Sequence, residues 1–176
     1  MSLDGFCDHT SLIADDEIHQ HYTELIRSGD TILYGRITYQ LMEFWPTLVK
    51  EPSSNKAMDE FAVAMDNITK VVFSRTLRDV EWQTARLATK DIQEEVSALQ
   101  QQPGKDIFVG SRSLIIALLN LGMIDEFQLC VQPIIAGKGL PLFENIDKRI
   151  DLTLLHTKEF SGTGSIIFYY KPIVSS

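Results

Sequence analysis

The chain has 176 residues, 44% of them hydrophobic and 23% charged, the composition of one ordinary globular domain with a sizeable core. Its net charge of −8 argues against broad binding to nucleic acid or to an anionic membrane surface, but not against an anionic ligand held by a local arginine cluster. The longest apolar run, Leu114 to Leu119, is far too short to span a bilayer, no signal peptide is expected, and Cys7 and Cys130 suit free thiols in a reducing cytoplasm.

The chain opens on Met1-Ser2-Leu3-Asp4-Gly5-Phe6, where Asp-Gly favours a turn and no strand pattern comes before it. Ile18, Tyr22, Leu25 and Ile26 then fall on one helical face, with Asp15 or Asp16 as a cap and Gly29 just past the end. A strand over Thr31–Tyr34 follows, then a helix from about Thr38 to Trp45 that Pro46 stops. Pro52 to Asn55 is a loop, and Met58, Phe61, Ala62 and Met65 make another helical face that reads as core. Lys70–Phe73 is a buried strand and Trp82–Leu87 a short one. Thr89 or Asp91 caps a helix carrying Ile92, Val96 and Leu99. Asp106–Val109 is a strand, and a helix runs from about Ser113 to Leu121 with Gly122 as its stop.

From Asp125 the period changes from helical to alternating. Phe127, Leu129 and Val131 alternate with Gln128, Cys130 and Gln132, and Ile150, Leu152 and Leu154 alternate again. Gly137-Lys138-Gly139 lies in a flexible loop between these runs. Ser161-Gly162-Thr163-Gly164 is a hairpin turn leading to a closing strand over Ser165–Lys171. Helices and strands therefore alternate for two thirds of the chain, and strands follow one another in the last third. This order predicts a single α/β domain over residues 1–176, with a mixed, mainly parallel sheet and antiparallel C-terminal strands.

Three of these strands end alike: Tyr34-Gly35-Arg36-Ile37-Thr38, Phe73-Ser74-Arg75-Thr76 and Val109-Gly110-Ser111-Arg112-Ser113. Each places small or hydroxyl residues and an arginine just past a strand's C-terminal end, the edge where open α/β sheets bind ligands. At Gly35 a glycine turn would turn backbone N–H groups outward, and Thr38 would cap the next helix. Arg36 and Arg75 have the charge and fork geometry for phosphate, and a ribose 2′-phosphate would favour NADPH over NADH. The plain alternatives are a solvated charge at Arg75, near Asp79 or Glu81, and a tight strand-to-helix junction at Gly110-Ser111. No Gly-x-Gly-x-x-Gly follows any strand.

At these residues the sequence resembles the dihydrofolate reductase-like superfamily, most closely its bacterial branch related to the reductase domain of riboflavin biosynthesis. The matching stretches are Ser2–Phe6, Leu33–Tyr39, Val71–Ser74 with Thr76-Leu77, Ile107–Ser111, Gly122–Glu126 and Pro133–Gly139, in the family's order and over almost the whole chain. The resemblance implies a three-layer fold, a central mixed sheet with helices on both faces. It implies an NADPH site at Gly35, Arg36, Thr38, Ser74, Arg75, Gly110, Ser111 and Arg112, and a homodimer. Two departures stand out. The family carries Gly-Gly where this chain has Gly110-Ser111, and an apolar strand immediately before Ser-Leu-Asp-Gly, where only Met1 stands here.

The implied reaction is hydride transfer from NADPH to a small heterocycle, pterin- or aminopyrimidine-like, as in dihydrofolate reductase or 5-amino-6-(5-phosphoribosylamino)uracil reductase. The candidate catalytic acids are Asp4, in the loop that resembles the family's active-site loop, and Asp16, near the place of the family's acid. Spacing back from Gly35 points instead to His19. Helix capping is the plain reading of Asp16, and a simple turn that of Asp4. His19 and His21 face different sides of a helix, and Cys7 with His9 lacks further ligands, so no metal site is expected. The alternative to an enzyme is a non-catalytic nucleotide-binding or interaction protein that keeps the fold.

Overall fold

The computed structural model describes residues 1–7 and 13–173. In chain order its elements are β1 (Phe6–Cys7), α1 (Asp16–Ser28), β2 (Gly29–Gly35), α2 (Arg36–Met42), α3 (Trp45–Lys50), α4 (Lys56–Asn67), β3 (Thr69–Phe73), β4 (Ala85–Leu87), α5 (Ile92–Gln100), β5 (Asp106–Val109), α6 (Arg112–Asn120), β6 (Phe127–Val131), β7 (Leu140–Pro141), β8 (Leu152–Phe160) and β9 (Ser165–Pro172). They divide into two units, Ile18–Ala117 and the remainder.

The unit over 18–117 is built on a four-stranded parallel sheet in the order β4-β3-β2-β5. Thr31 to Tyr34 of β2 and Lys70 to Val72 of β3 are buried without a break, as expected of central parallel strands covered on both faces. Ile26, Ile32, Tyr34, Tyr39, Met65, Ile68, Val72 and Trp82 form one core cluster there. Two α-helices are capped as residue chemistry requires: Asn55 Oδ1 accepts from Met58 N at 2.9 Å, and Asp91 Oδ1 from Glu94 N at 2.9 Å.

Pro46 corrects the sequence reading. It stands in the first turn of α3, where a missing N–H and a fixed φ cost nothing, while the preceding helix has already ended at Met42. The N-terminal reading at Thr38 is also corrected: Gly35 is the N-cap of α2, without a side-chain cap, and Thr38 is the third helical residue.

The other unit carries the alternating strands. β6, β9 and β8 form an antiparallel sheet in that order, and β1 pairs with β7, a two-residue pairing that the sequence pattern did not reveal. Every second residue of β9 from Ser165 to Tyr169 is buried, so the period-2 pattern has its one-sided meaning. The antiparallel C-terminal strands expected from the sequence form this three-stranded sheet. Gly122 has φ +68 and ends α6 as expected.

Candidate functional site

Because β2, β3 and β5 are parallel neighbours, their C-terminal ends share one edge of the sheet. Gly35 lies opposite Phe73, and Leu33 opposite Val109, with Gly110 N donating to the Leu33 carbonyl at 3.0 Å. The register therefore brings Gly35, Ser74 and Gly110-Ser111 side by side, as the repeated strand-end pattern anticipated.

The atoms do more specific work than the pattern showed. Ser111 is buried, and its Oγ accepts from Gly35 N at 2.8 Å, tying the end of β2 to the start of α6. The Gly35 N–H is thus spent within the protein, and its φ of −79° is one any residue adopts, so the outward-facing glycine turn is not what forms here. Gly110 is needed for another reason: a Cβ there would fall on the Tyr34 ring and lie 3.4 Å from Ile32 Cδ1. The second glycine of the family's pair is dispensable because the serine that replaces it is accommodated and bonded.

Ser74 Oγ accepts from Thr76 N at 3.1 Å and Leu77 N at 2.9 Å, which turns the chain after β3. Neither the Ser74 nor the Ser111 hydroxyl donates to a described residue, so each has a proton to offer to another acceptor. Ser113, which sequence reasoning left out of the site, belongs with them. A Cβ placed on Gly35 would be 3.5 Å from Ser113 Oγ and 3.7 Å from Ser111 Oγ.

The arginines differ. Arg36 is exposed and donates to the neutral Gln40 Oε1 at 3.0 Å. Arg75 is exposed and pairs with no described residue, so Asp79 and Glu81 do not neutralise it. Arg112 is the first residue of α6 and half-buried, and Thr38 is half-buried on α2. Arg86 on β4 is unlike them, being held by Glu95 at 2.6 Å. Among the described residues of this unit, the edge has hydroxyl donors, two arginines without an acid partner and no acidic member, which suits an acceptor-rich anion.

The candidate acids are each described by their own surroundings. Asp4 is exposed, and its carboxylate accepts from Ala136 N at 3.0 Å and Gly137 N at 2.7 Å. The Ser2 hydroxyl and these two N–H groups pull its pKa down to about 2, so at neutral pH it has no proton to give. Asp16 is exposed and opens α1, where a carboxylate favours the helix dipole. His19 is half-buried, with its ring edge-on to Trp45 at 6.2 Å and Phe61 at 5.8 Å. His9 lies outside the described residues. Among the described residues no group of three or more His, Cys, Asp or Glu is placed to hold a metal, and no helix is long and apolar enough to cross a membrane.

Residues 1–164 match the family model described as the RibD C-terminal domain. The chain is 34% identical over 177 residues to the uncharacterized protein YyaP of Bacillus subtilis (strain 168), covering 97% of this chain and 91% of the relative. Its fold is similar to that of a protein from Shewanella sp. PV-4 assigned to riboflavin biosynthesis, with a TM-score of 0.72, 16% identity and coverage of 98% of this chain and 94% of that one. It is also similar to the diaminohydroxyphosphoribosylaminopyrimidine deaminase/5-amino-6-(5-phosphoribosylamino)uracil reductase of Thermotoga maritima, with a TM-score of 0.64 and 18% identity, over 98% of this chain and 54% of that one. The ordered motifs, the parallel sheet and these matches agree, and the chain belongs to the RibD C-terminal domain family, with its dihydrofolate reductase-like α/β fold.

Proposed function

We propose that the protein is an NADPH-dependent reductase that transfers a hydride to a small pterin- or aminopyrimidine-like heterocycle of the riboflavin or folate type. The observation that carries this reading is the shared strand edge of a RibD C-terminal domain protein, where unspent Ser74 and Ser111 hydroxyls stand with Arg36 and Arg75. NADPH, when bound, supplies the hydride. On this reading Ser74, Ser111 and Ser113 donate to phosphate oxygens, Arg36 and Arg112 neutralise the pyrophosphate, and Arg75 grips the 2′-phosphate. Gly110 lets the backbone approach, and Thr38 lines the start of α2.

The test is titration with NADPH, followed by NADPH oxidation over pterin and aminopyrimidine substrates. Absence of measurable binding would overturn the reading. Arg75→Ala should weaken NADPH by about tenfold or more, the worth of a charge-assisted bond, and NADH by no more than about twofold. Equal weakening of both would remove Arg75 from the 2′-phosphate.

A second reading, a nucleotide-binding protein without turnover, is favoured by the Asp4 carboxylate being taken up by the Ala136 and Gly137 amides. Binding without oxidation would support it. We further propose a homodimer in the cytoplasm. β8 is an edge strand with Leu154 50% and Leu155 48% exposed, an edge that a second chain would cover.

A further inference from the structure

The segment that follows β3, from Ser74 to Trp82, carries a second arginine that the repeated strand-end pattern does not contain. Arg75 and Arg78 are both exposed, and among the described residues neither side chain has an acid partner. The two acids of the segment are occupied elsewhere or stand in water. Asp79 Oδ1 accepts from Val80 N at 2.8 Å, and Glu81 is exposed and forms no ion pair with a described residue. Without contact, solvent and salt weaken their hold on either guanidinium.

The backbone that bears these arginines is anchored. Leu77 and Val80 pack against the core cluster that holds Tyr39 and Met65. Trp82 is buried in that cluster, and its N–H donates to Tyr39 Oη at 3.4 Å. Exposed arginines and anchored apolar residues therefore take turns along the segment, and binding has little backbone freedom left to remove. Leu77 N lies 2.9 Å from Ser74 Oγ, so the Arg78 Cα stands within about 8 Å of that hydroxyl. Ser74 itself follows Phe73, the ladder partner of Gly35. The register thus ties Arg78 to the strand edge at which Gly35 and Ser74 meet.

We infer that Arg78 is a specificity-determining residue, which with Arg75 makes a two-arginine grip on the ribose 2′-phosphate and selects NADPH over NADH. The inference rests on the NADPH-dependent reading and adds to it a residue beyond Thr76, where the strand-end pattern stops. The charge of the ligand asks for the second arginine. A phosphate monoester carries about two negative charges at neutral pH and three acceptor oxygens. One guanidinium matches two of those oxygens and half of that charge. The second guanidinium and the unspent Ser74 proton supply the remainder. Arg36 is not available for this, since it donates to Gln40 and is assigned to the pyrophosphate.

The test is calorimetric titration of the full chain with NADPH, NADH and adenosine 2′,5′-bisphosphate. Arg78→Ala should weaken NADPH and the bisphosphate by about fivefold to tenfold and NADH by no more than about twofold, with an unchanged melting temperature as the check on folding. Arg78→Lys, which keeps the charge and loses the fork, should recover only part of that loss. The chain carrying both Arg75→Ala and Arg78→Ala should bind NADPH no more tightly than NADH. A remaining preference for NADPH in that chain would overturn the two-arginine grip. Unchanged NADPH affinity in Arg78→Ala, or equal weakening of NADPH and NADH, would overturn the role of Arg78 and leave the NADPH-dependent reading standing. Absence of NADPH binding by the unsubstituted chain would overturn both, so the two failures are told apart.

Discussion

Lys70 is tightly constrained. It stands in β3, fully buried, with Nζ donating to the Asp66 carbonyl at 3.0 Å and to Thr84 Oγ1 at 2.6 Å, and lying 3.8 Å from the centre of the Trp82 ring. Trp82 Nε1 donates in turn to Asp66 Oδ1 at 2.6 Å, and Thr84 Oγ1 to the Asp66 carbonyl at 2.7 Å. Burial lowers the Lys70 pKa to about 7, partly opposed by the Asp66 charge. Between pH 7 and its ordinary value of 10.5, the folded chain sheds a proton that the unfolded chain keeps. Stability therefore rises with pH through that window. Lys70→Met removes the buried charge and leaves the Thr84–Asp66 bond intact. It should raise stability at pH 6 by about 1–3 kcal/mol and flatten the rise above pH 7, measured by urea unfolding across pH. A loss of stability at pH 6 would show that the ammonium contacts outweigh desolvation. The sequence marked Lys70 only as the first residue of a buried strand. Its partners lie up to 14 positions away, so the network was not readable there.

The strand ends decide matters at the scale of elements. β2 and β5 are held together beyond their ladder by Ser111 Oγ and by the Tyr34 ring over Gly110. Tyr34 is 3% exposed, with its hydroxyl 3.9 Å from Met65 Sδ, so the ring has little room to move aside. Burial also holds its phenol protonated, well above the ordinary range. Gly110→Ala should cost about 1–3 kcal/mol, the range for forcing extra volume into a filled core, and lower the melting temperature. An unchanged melting temperature would mean the ring shifts freely. The similarity of the three strand ends was legible because each follows a short apolar run. The use of each hydroxyl was not, because Ser74 acts within three residues while Ser111 acts on a residue 76 positions earlier. Pro46 shows the same limit: a proline can stop one helix or open the next, and the tertiary structure shows that here it opens α3.

At the scale of the whole molecule, sedimentation should give twice the chain mass if the proposed homodimer forms, and a single-chain mass would overturn it. Leu154→Lys, at the exposed edge strand β8, should shift the balance toward the single chain. By itself the sequence determined the longer helices and strands of both units, though not α3, β1 or β7, through periods of 3.6 and 2 that follow from local geometry, and it determined the family through motifs kept in order. Tertiary structure alone decided that β1 finds β7 and that the Gly35 N–H is consumed by Ser111. It also decided that Asp4 is a charged clasp on a distant loop. These outcomes depend on which distant groups meet, and a hydrogen bond between residues more than a hundred positions apart leaves no periodic trace in the chain.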